Sequence, residues 1–366
     1  MKNNIKICFI SGVIARSGGT ERVGSIIANA LATKGYDVTV LSFWDEGVPF
    51  FHINDNVKVE YLLNPKTEGK LYRTYIYPII KLHSYIMKNN IDVIIDIDTV
   101  LACFTSYAIK GTKCKQISWE HFNYWAMIKR NEKNRFRAKK LIKNNASKLV
   151  VLTEEDRKKH IKEYKLDPEF VVAMPNPCLS NAISDYKFEN KVFLAVGRLS
   201  QQKNFSALLN AWSLICNDCS EWKLIIVGKG ELENSLRKQA ENLKLCNMIF
   251  AGHSNDIAKY YRQASCFVLS SEYEGFPMVI LEAQSFGLPV ISFDCKTGPK
   301  DLIQNNKTGF LVEDGNIEAL AKKMLEFTQN EKKAVQMSKE AQRDVQKYNL
   351  ESITSKWCTL IESVVN

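Results

Sequence analysis

The sequence contains no long hydrophobic run. Its first apolar stretch, at residues 7–10, is short and is broken by Ser11 and Gly12. No later run approaches the ~20 apolar residues that are needed to span a bilayer. We therefore interpret residues 7–10 as a core strand rather than as part of a signal peptide. We expect a cytoplasmic protein with at most a peripheral contact to the inner face of the cell membrane.

Paired cysteine motifs and a complete dinucleotide fingerprint are also missing. The ten cysteines are scattered, and only Cys216 and Cys219 form a C-x-x-C, with no second pair and no nearby histidine. We therefore expect reduced thiols and no zinc site. No G-x-G-x-x-G follows a predicted strand, which argues against a nicotinamide dehydrogenase.

The net charge is moderate. Fifty lysine and arginine residues against forty aspartate and glutamate residues give a formal charge of +10 at pH 7. This excess permits an anionic partner such as a nucleotide, a lipid phosphate or a membrane surface, but it does not identify one. We predict no nucleic-acid partner.

Strand and helix patterns alternate through both halves of the chain. The 366 residues, 45% of them hydrophobic, are enough for two domains of ordinary size. A linker that contains proline and asparagine, at residues 174–190, interrupts the alternation, which then restarts. We predict an α/β protein with two Rossmann-like domains at residues 1–176 and 177–349, followed by an amphipathic helix at residues 350–366.

The most informative stretch is the loop and helix between Glu274 and Glu282. It follows an apolar strand, contains Gly275 and Phe276, and enters a helix near Pro277. The free N–H groups and the positive dipole end at such a helix start attract anions. A carboxylate inside a buried helix is costly without a partner, and a sugar hydroxyl is one such partner.

Two cations follow the predicted strand at residues 193–196. Arg198 and Lys203 lie at its carboxyl end, next to a helix start. Two positive charges there suit a diphosphate, although exposed cations also serve solubility, and both interpretations stay open. Gly228 and His253 lie in the turns after the next two strands of the same half.

Two short motifs of the first half have a functional and a structural interpretation. Gly18 and Gly19 turn between the first strand and the first helix. Such a pair lets backbone N–H groups approach a phosphate, but a tight turn without a ligand fits equally well. Asp96 and Asp98 form a D-x-D at the end of another strand, a pattern that holds metal ions elsewhere. No further ligands accompany it, and we predict no metal site.

An aromatic and polar cluster follows the strand near residue 118. Its members are Trp119, His121, Asn123 and Tyr124. An imidazole, an amide and large rings at the carboxyl end of a strand are typical of a ligand surface. A histidine alone is more often structural, but in this company we predict that His121 is functional.

Positive charge is concentrated at residues 129–148. Nine of these residues are basic and only Glu132 is acidic. One interpretation is a solvated helix face. The other is a patch that rests on anionic lipid or binds a lipid-linked phosphate.

Together these motifs resemble family 4 of the retaining glycosyltransferases. The sequence contains the E-x7-E pattern from Glu274 to Glu282 together with three further motifs of this family. These are a G-R-L at residues 197–199, a V-G-K-G at 227–230 and a G-F-L-V at 309–312. The resemblance covers nearly the whole chain and implies the GT-B fold, in which two Rossmann-like domains face a central cleft. It also implies that the donor binds mainly to the second domain, that the acceptor binds mainly to the first, and that the last helix packs back on the first.

The resemblance also assigns roles to residues. Glu282 would hold the ribose hydroxyls, Glu274 would lie at the donor sugar, and two cations would hold the diphosphate. The implied catalytic residues are His121, Arg198, Lys203 and Glu274. The implied nucleotide-sugar site comprises Gly18, Gly19, Arg198, Lys203, Gly228, His253, Glu274, Gly275, Phe276, Pro277 and Glu282. The predicted acceptor site comprises Trp119, His121, Asn123 and Tyr124.

The implied reaction moves a hexose or N-acetylhexosamine from a UDP-sugar to a lipid-linked or oligosaccharide acceptor, as in the synthesis of capsule or O-antigen. Charge develops on the departing diphosphate, and each fixed hydrogen-bond donor aimed at it is worth ~3 kcal/mol. Two cations and a helix dipole can replace a metal, so we expect no cofactor and no metal requirement. Because no carboxylate nucleophile is evident, we expect front-side attack with retention of configuration.

Three alternatives stay open. A nucleotide-sugar 2-epimerase of the same fold would convert its substrate without an acceptor. A sugar phosphorylase would release sugar phosphate in the presence of inorganic phosphate. A non-catalytic nucleotide-sugar-binding protein would bind UDP without giving a product, but the intact set of two glutamates and two cations argues against it.

Overall fold

The computed structural model describes residues 5–64, 75–125, 133–178 and 186–366. The chain divides into two compact units, Met1–Pro177 with Leu350–Asn366, and Cys178–Asn349. This division lies one residue from the boundary expected from the sequence, and the last helix belongs to the first unit. No helix within the described ranges is long and apolar enough to cross a bilayer.

The first unit contains a seven-stranded parallel sheet in the order β3-β2-β1-β4-β5-β6-β7. Its strands are β1 Lys6–Ser11, β2 Asp37–Trp44, β3 Lys58–Leu63, β4 Val93–Asp96, β5 Lys115–Trp119, β6 Lys148–Val151 and β7 Val171–Ala173. Its helices are α1 Gly19–Thr33, α2 Ile76–Asn89, α3 Ala102–Ala108, α4 Lys133–Asn145, α5 Glu154–Tyr164 and, at the end of the chain, α13 Leu350–Val365. The strand order reverses at β1, and ligands bind at such reversal points in open α/β sheets.

The second unit contains a six-stranded parallel sheet in the order β10-β9-β8-β11-β12-β13. Its strands are β8 Val192–Val196, β9 Lys223–Val227, β10 Met248–Gly252, β11 Cys266–Leu269, β12 Val290–Phe293 and β13 Gly309–Val312. Its helices are α6 Phe205–Ser213, α7 Glu233–Asn242, α8 Ala258–Gln263, α9 Met278–Ser285, α10 Pro299–Leu302, α11 Ile317–Thr328 and α12 Glu331–Val345. Here the order reverses at β8, which directs the loops after β8 and β11 to one crevice.

Each sheet is buried because helices cover its faces. The central strands β4, β11 and β12 are buried at every residue, which is why apolar residues predominate in them instead of alternating with polar ones. Trp357 of α13 is fully buried and packs edge-on against Trp119 at a ring distance of 4.8 Å. The apolar stripe of the last helix is therefore part of the core of the first unit.

Candidate active site

In the second unit the loops after β8 and β9 approach so closely that only glycine fits. A Cβ atom on Gly228, whose φ is 146°, would lie 1.9 Å from the carbonyl oxygen of Gly197. A Cβ atom on Gly230 would lie 2.2 Å from the carbonyl oxygen of Leu199. Any side chain would push the two loops apart. The G-R-L and V-G-K-G motifs thus form one packed unit that fixes the backbone at Arg198.

Lys203 and Glu274 meet at the carboxyl ends of β8 and β11. The Lys203 Nζ lies 2.6 Å from the Glu274 Oε1, and the two side chains are only 18% and 6% exposed. Because water screens this pair poorly, the attraction is stronger than that of a surface ion pair. The structure therefore brings together two of the residues that were predicted to contact the donor, although they are 71 positions apart in the chain.

The loop after β12 holds the Glu274 loop in place. The Thr297 hydroxyl donates to the carbonyl oxygen of Glu274. Thr297 has a φ of 61°, which is unusual for a β-branched residue. A Cβ atom on the next residue, Gly298, would lie 2.4 Å from the Pro277 Cδ. Strained backbone of this kind concentrates at ligand sites. Pro277, near which the sequence predicted the helix to begin, is the N-cap of α9.

Glu282 is held by a residue that the motifs did not indicate. The Tyr261 hydroxyl, on α8, donates to the Glu282 Oε2 at 3.0 Å. Tyr261 is only 1% exposed, and its ring stacks on Phe286 at 5.3 Å. A buried tyrosine needs a partner for its hydroxyl, so this contact fixes the rotamer of the carboxylate. No sequence pattern links a tyrosine on one helix to a glutamate on another.

The side chains of Arg198 and His253 are more exposed to solvent than those of Lys203 and Glu274. The Arg198 side chain is 74% exposed, and its Nε lies 3.1 Å from the Glu231 Oε2. Its ion-pair partner among the described residues is thus Glu231 rather than Glu274. His253 is exposed at the carboxyl end of β10. The diphosphate role of Arg198 and the nucleotide-sugar role of His253 stay predictions.

In the first unit a carboxylate covers the glycine turn. Gly18 is the N-cap of α1, and a Cβ atom on it would lie 2.2 Å from the Glu21 Oε2. Burial raises the pKa of Glu21. The carboxyl group of Glu21 therefore lies where the sequence suggested a phosphate. A cavity of about 250 Å³ adjoins this turn and is lined by Arg16, Trp44 and other residues at the strand ends. The phosphate contact at Gly18 and Gly19 stays a prediction.

His121 follows β5 with a buried ring nitrogen. Its Nε2 has no hydrogen-bond partner in the described parts of the chain. Burial lowers the pKa of His121 to about 4, so the imidazole is neutral near pH 7. Its ring lies 4.5 Å from that of Trp119, which is fully buried. Trp119 therefore supports His121 from the core, and its side chain does not form part of the surface.

A buried ion cluster holds both neighbours of His121. The Glu120 Oε2 lies 2.7 Å from the Lys139 Nζ, and its Oε1 accepts the Phe122 N–H at 3.0 Å. The Arg135 guanidinium lies 3.4 Å from Glu120, pairs bidentately with Asp98 at 2.9 Å and covers the Phe122 ring. Burial alone would raise the pKa of Glu120, but the charges of Lys139 and Arg135 lower it to about 2.

This cluster changes the interpretation of the basic run. Arg135 and Lys139 are buried, so they are not available to a membrane or to solvent. Residues 129–132 lie outside the described residues. Asn123 is also buried, whereas Tyr124 is partly exposed and its N–H donates to the Asp156 Oδ1 at 2.9 Å.

The two aspartates of the D-x-D motif have different surroundings. Asp96 is fully buried and accepts hydrogen bonds from the Gln116 amide and the Ser118 hydroxyl, both at 2.6 Å. Burial raises the pKa of Asp96 to about 7, although these hydrogen bonds oppose the shift. Asp98 instead pairs with Arg135. Within the described ranges, no group of three or more histidine, cysteine, aspartate or glutamate residues could hold a metal ion.

Comparisons with known proteins agree with this architecture. Residues 17–178 match the family model described as Glycosyltransferase Family 4, and residues 182–344 match the model described as Glycosyl transferases group 1. An uncharacterized glycosyltransferase of Haemophilus influenzae is 33% identical over 354 residues, which cover 96% of this chain and 98% of that protein.

Two further proteins are similar over the full length. The GalNAc-alpha-(1->4)-GalNAc-alpha-(1->3)-diNAcBac-PP-undecaprenol alpha-1,4-N-acetyl-D-galactosaminyltransferase of Campylobacter jejuni is 28% identical, with 99% of both chains covered. The crystal structure of Anabaena HepE in complex with UDP and glucose has a TM-score of 0.77 at 18% identity and covers 98% of this chain and 100% of that one. The fold predicted from the sequence is thereby confirmed. The chain belongs to the glycosyltransferases of family 4 and has the GT-B fold.

Proposed function

We propose that the protein is a retaining glycosyltransferase that moves a hexose or N-acetylhexosamine from a UDP-sugar to a lipid-linked glycan. The product is part of a bacterial surface polysaccharide such as a capsule or an O-antigen, and the reaction takes place in the cytoplasm. Glycosyl transfer itself follows from the family. The observation that carries the finer proposal is the shielded pair of Lys203 and Glu274, in the same unit as the positioned carboxylate of Glu282.

The second unit supplies the donor contacts. Glu282, whose rotamer is fixed by Tyr261, accepts hydrogen bonds from the ribose hydroxyls. The ion pair with Glu274 orients the Lys203 ammonium group before the donor binds. The diphosphate can then bind the same ammonium group beside Glu274. Arg198 exchanges Glu231, its exposed partner, for a phosphate oxygen. These cations stabilise the charge that develops on the leaving diphosphate, as a preorganised oxyanion site does.

This arrangement supports the absence of a metal or other cofactor. Two cations can neutralise the diphosphate by themselves. Glu274 lies at the donor sugar, where its negative charge stabilises a positively charged anomeric carbon. The acceptor hydroxyl attacks from the side on which the leaving group departs and passes its proton to the leaving phosphate oxygen.

The first unit supplies the acceptor contacts and a neutral imidazole. The unpartnered Nε2 of His121 suits a sugar hydroxyl, and the low pKa of His121 keeps it uncharged. Tyr124 is partly exposed near the same loop and suits an acceptor sugar. The undecaprenol-linked substrate in the name of the Campylobacter jejuni relative supports a lipid-linked acceptor, and the UDP complex of Anabaena HepE supports a UDP donor.

A donor panel tests this proposal. Purified protein is incubated with UDP- and GDP-sugars, with and without a chelator, and hydrolysis and transfer are followed by NMR. We expect release of UDP, no effect of the chelator, and products with the anomeric configuration of the donor. Activity with GDP-sugars alone, loss of activity on chelation, or inverted products would contradict the proposal.

A variant of Glu274 and the products formed without an acceptor separate this proposal from the alternatives. Glu274→Gln keeps the shape of the side chain, and we expect it to lower kcat by about 10²–10³-fold, the range found when one charge-stabilising group is removed. Conversion of UDP-N-acetylglucosamine to a 2-epimer without an acceptor would favour the epimerase. Phosphate-dependent release of sugar phosphate would favour the phosphorylase. A covalent glycosyl intermediate on Glu274 would rule out front-side attack.

A further inference from the structure

The outer face of α2 carries large aliphatic side chains. Ile76, Ile80 and Met87 are 65%, 58% and 51% exposed. Their spacing places them within about 40° of one another around the helix axis. Single exposed aliphatic residues are ordinary, but three on one side of a helix form an apolar stripe that is a candidate interaction surface. The opposite face of the same helix is the buried one and contributes Pro78, Leu82 and Ile86 to the core.

Lysines border this stripe. Lys81 and Lys88 follow on one side, about 100–120° around the axis from the centre of the stripe. The helix contains no aspartate or glutamate. Long lysine side chains can extend past a buried aliphatic face and keep their charge at the level of lipid headgroups. Exposed aliphatic residues with lysines beside them therefore suit a helix that lies in the plane of a membrane interface.

Helix α4 continues the same surface. Phe136 is 42% exposed, and its neighbour Arg137 and the nearby Lys140 are exposed as well. The Arg137 guanidinium lies 5.6 Å from the ring centre of Tyr75, the residue before α2. The Tyr75 ring in turn stacks on Phe104 of α3 at 5.5 Å, so the start of α2 adjoins α4. Helix α4 also contains no acidic residue.

We propose that this surface docks on an anionic lipid bilayer. The aliphatic residues and the phenylalanine enter the boundary of the acyl chains, and the cations meet lipid phosphates. We call it the α2–α4 face, and its residues are Ile76, Ile80, Met87, Phe136, Arg137 and Lys140. It differs from the basic run seen in the sequence, because α2 supplies most of the apolar area and the buried Arg135 and Lys139 take no part.

A second copy of the chain is a poor occupant of this face. A two-fold contact would place the same cations opposite one another, and neither helix offers a carboxylate to pair them. A negatively charged bilayer supplies the missing anions. Docking requires neither donor nor acceptor, so its failure and the failure of the proposed glycosyl transfer are separate outcomes.

Vesicle flotation of the full chain tests the proposal. One set of vesicles contains phosphatidylcholine alone, and the other contains equal parts of phosphatidylcholine and phosphatidylglycerol. We expect binding to the anionic vesicles only, weakened by salt because charges at the headgroups are screened. Replacing both isoleucines, Ile76→Ser with Ile80→Ser, is expected to weaken binding by about tenfold or more because buried aliphatic area is lost. Lys140→Glu is expected to weaken it by about fivefold or more.

Matched controls lie in the second unit. Ile249, on β10, is 48% exposed, and Lys332, on α12, is exposed. We expect Ile249→Ser and Lys332→Glu to leave vesicle binding unchanged. The proposal is overturned if the wild type binds neither vesicle, binds both equally, or is weakened as much by the controls. It is also overturned if sedimentation shows a dimer that the double isoleucine variant converts to a monomer.

Discussion

The charged groups of the two units are enclosed to different degrees. In the first unit the side chains of Glu120, Arg135 and Lys139 are 0%, 8% and 3% exposed, and both cations pair with Glu120. In the second unit the side chain of Lys203 is 18% exposed, and that of Arg198 is 74% exposed. The first cluster is closed, so its charges support the His121 loop. The second set is open enough for a ligand to replace a protein partner.

The role of a cation cannot be inferred from its place in the sequence alone. Both sets look alike as lysines and arginines near strand ends or in a basic run. Their exposure to solvent differs because other parts of the chain cover one face of a helix or loop and leave the other face open.

Removing one charge from the buried cluster of Glu120, Arg135 and Lys139 should greatly lower the free energy of unfolding. Replacing Lys139 by methionine leaves the buried Glu120 carboxylate with the more distant Arg135 as its cationic partner, so Lys139→Met is expected to destabilise the protein by about 3–5 kcal/mol. Urea unfolding followed by fluorescence measures this loss. Lys140→Met, at the exposed neighbouring position, serves as the control and should change stability by less than about 0.5 kcal/mol. Equal losses in the two variants would show that the cluster is not closed.

Two buried carboxyl groups of the first unit should respond to pH in opposite directions. The pKa of Asp96 is raised from 3.8 to about 7, so its contribution to stability is complete below pH 3.8 and is lost as the pH rises through 7. The pKa of Glu120 is lowered from 4.5 to about 2, so its contribution is present above pH 4.5 and is lost as the pH falls through 2.

The variant Asp96→Asn isolates the first of these effects. The asparagine can keep the two accepted hydrogen bonds and resembles the protonated acid. Between about pH 4 and pH 7 the wild type should lose up to about 4 kcal/mol through this group, and the variant should not. Urea unfolding across that range measures the difference. Parallel pH profiles for the two proteins would contradict the account.

In the open site, Tyr261 should act through Glu282. Tyr261→Phe keeps the stacking on Phe286 but removes one hydrogen bond, worth about 1 kcal/mol. We expect the KM for the UDP-sugar to rise by about fivefold with kcat nearly unchanged. The effect should be smaller with a 2′-deoxyuridine donor, which lacks one of the ribose hydroxyls assigned to Glu282. Tyr260→Phe, at the neighbouring position, is the control, and an equal effect of both variants would make the role of Tyr261 merely structural.

The smallest effect on stability is expected at Arg198. Its pair with Glu231 is exposed, so Arg198→Met should change the free energy of unfolding by less than about 1 kcal/mol. Donor use should nevertheless fall, because the diphosphate loses a cation. Unfolding and steady-state kinetics on the same preparation separate the two quantities. Unchanged kinetics would leave Arg198 as a solubility residue.

Two features of the fold could be predicted from the sequence because they depend on local patterns. They are the alternation of strands and helices and the strand, loop and helix that contain the E-x7-E motif. The contact between Glu282 and Tyr261 could not, since it joins two helices without any motif. The burial of Arg135 and Lys139 had an overlooked signal: with Ala138 and Ile142 they have the i, i+3, i+4, i+7 spacing of a covered face. Their charge concealed this pattern.

Trp119 shows that the burial of an apolar residue is also hard to predict from its sequence neighbours. As a large ring at a strand end it suggested a ligand surface, but Trp357, 238 positions later, covers it. Glu21 is a further case, because a residue three positions into a helix can fold back over the helix start. Long-range packing and local capping both override what a short motif suggests.

We propose that Lys203, Glu274 and Glu282 contact one bound nucleotide-sugar. Calorimetric titration with UDP and with 2′-deoxy-UDP tests it most directly. We expect the wild type to bind UDP about tenfold more tightly than the deoxy analogue, a difference that suits hydrogen bonds to a charged group. Glu282→Gln should remove that difference, and Lys203→Met should weaken both ligands. Wild-type affinity for UDP in both variants, with their folds intact, would contradict the claim.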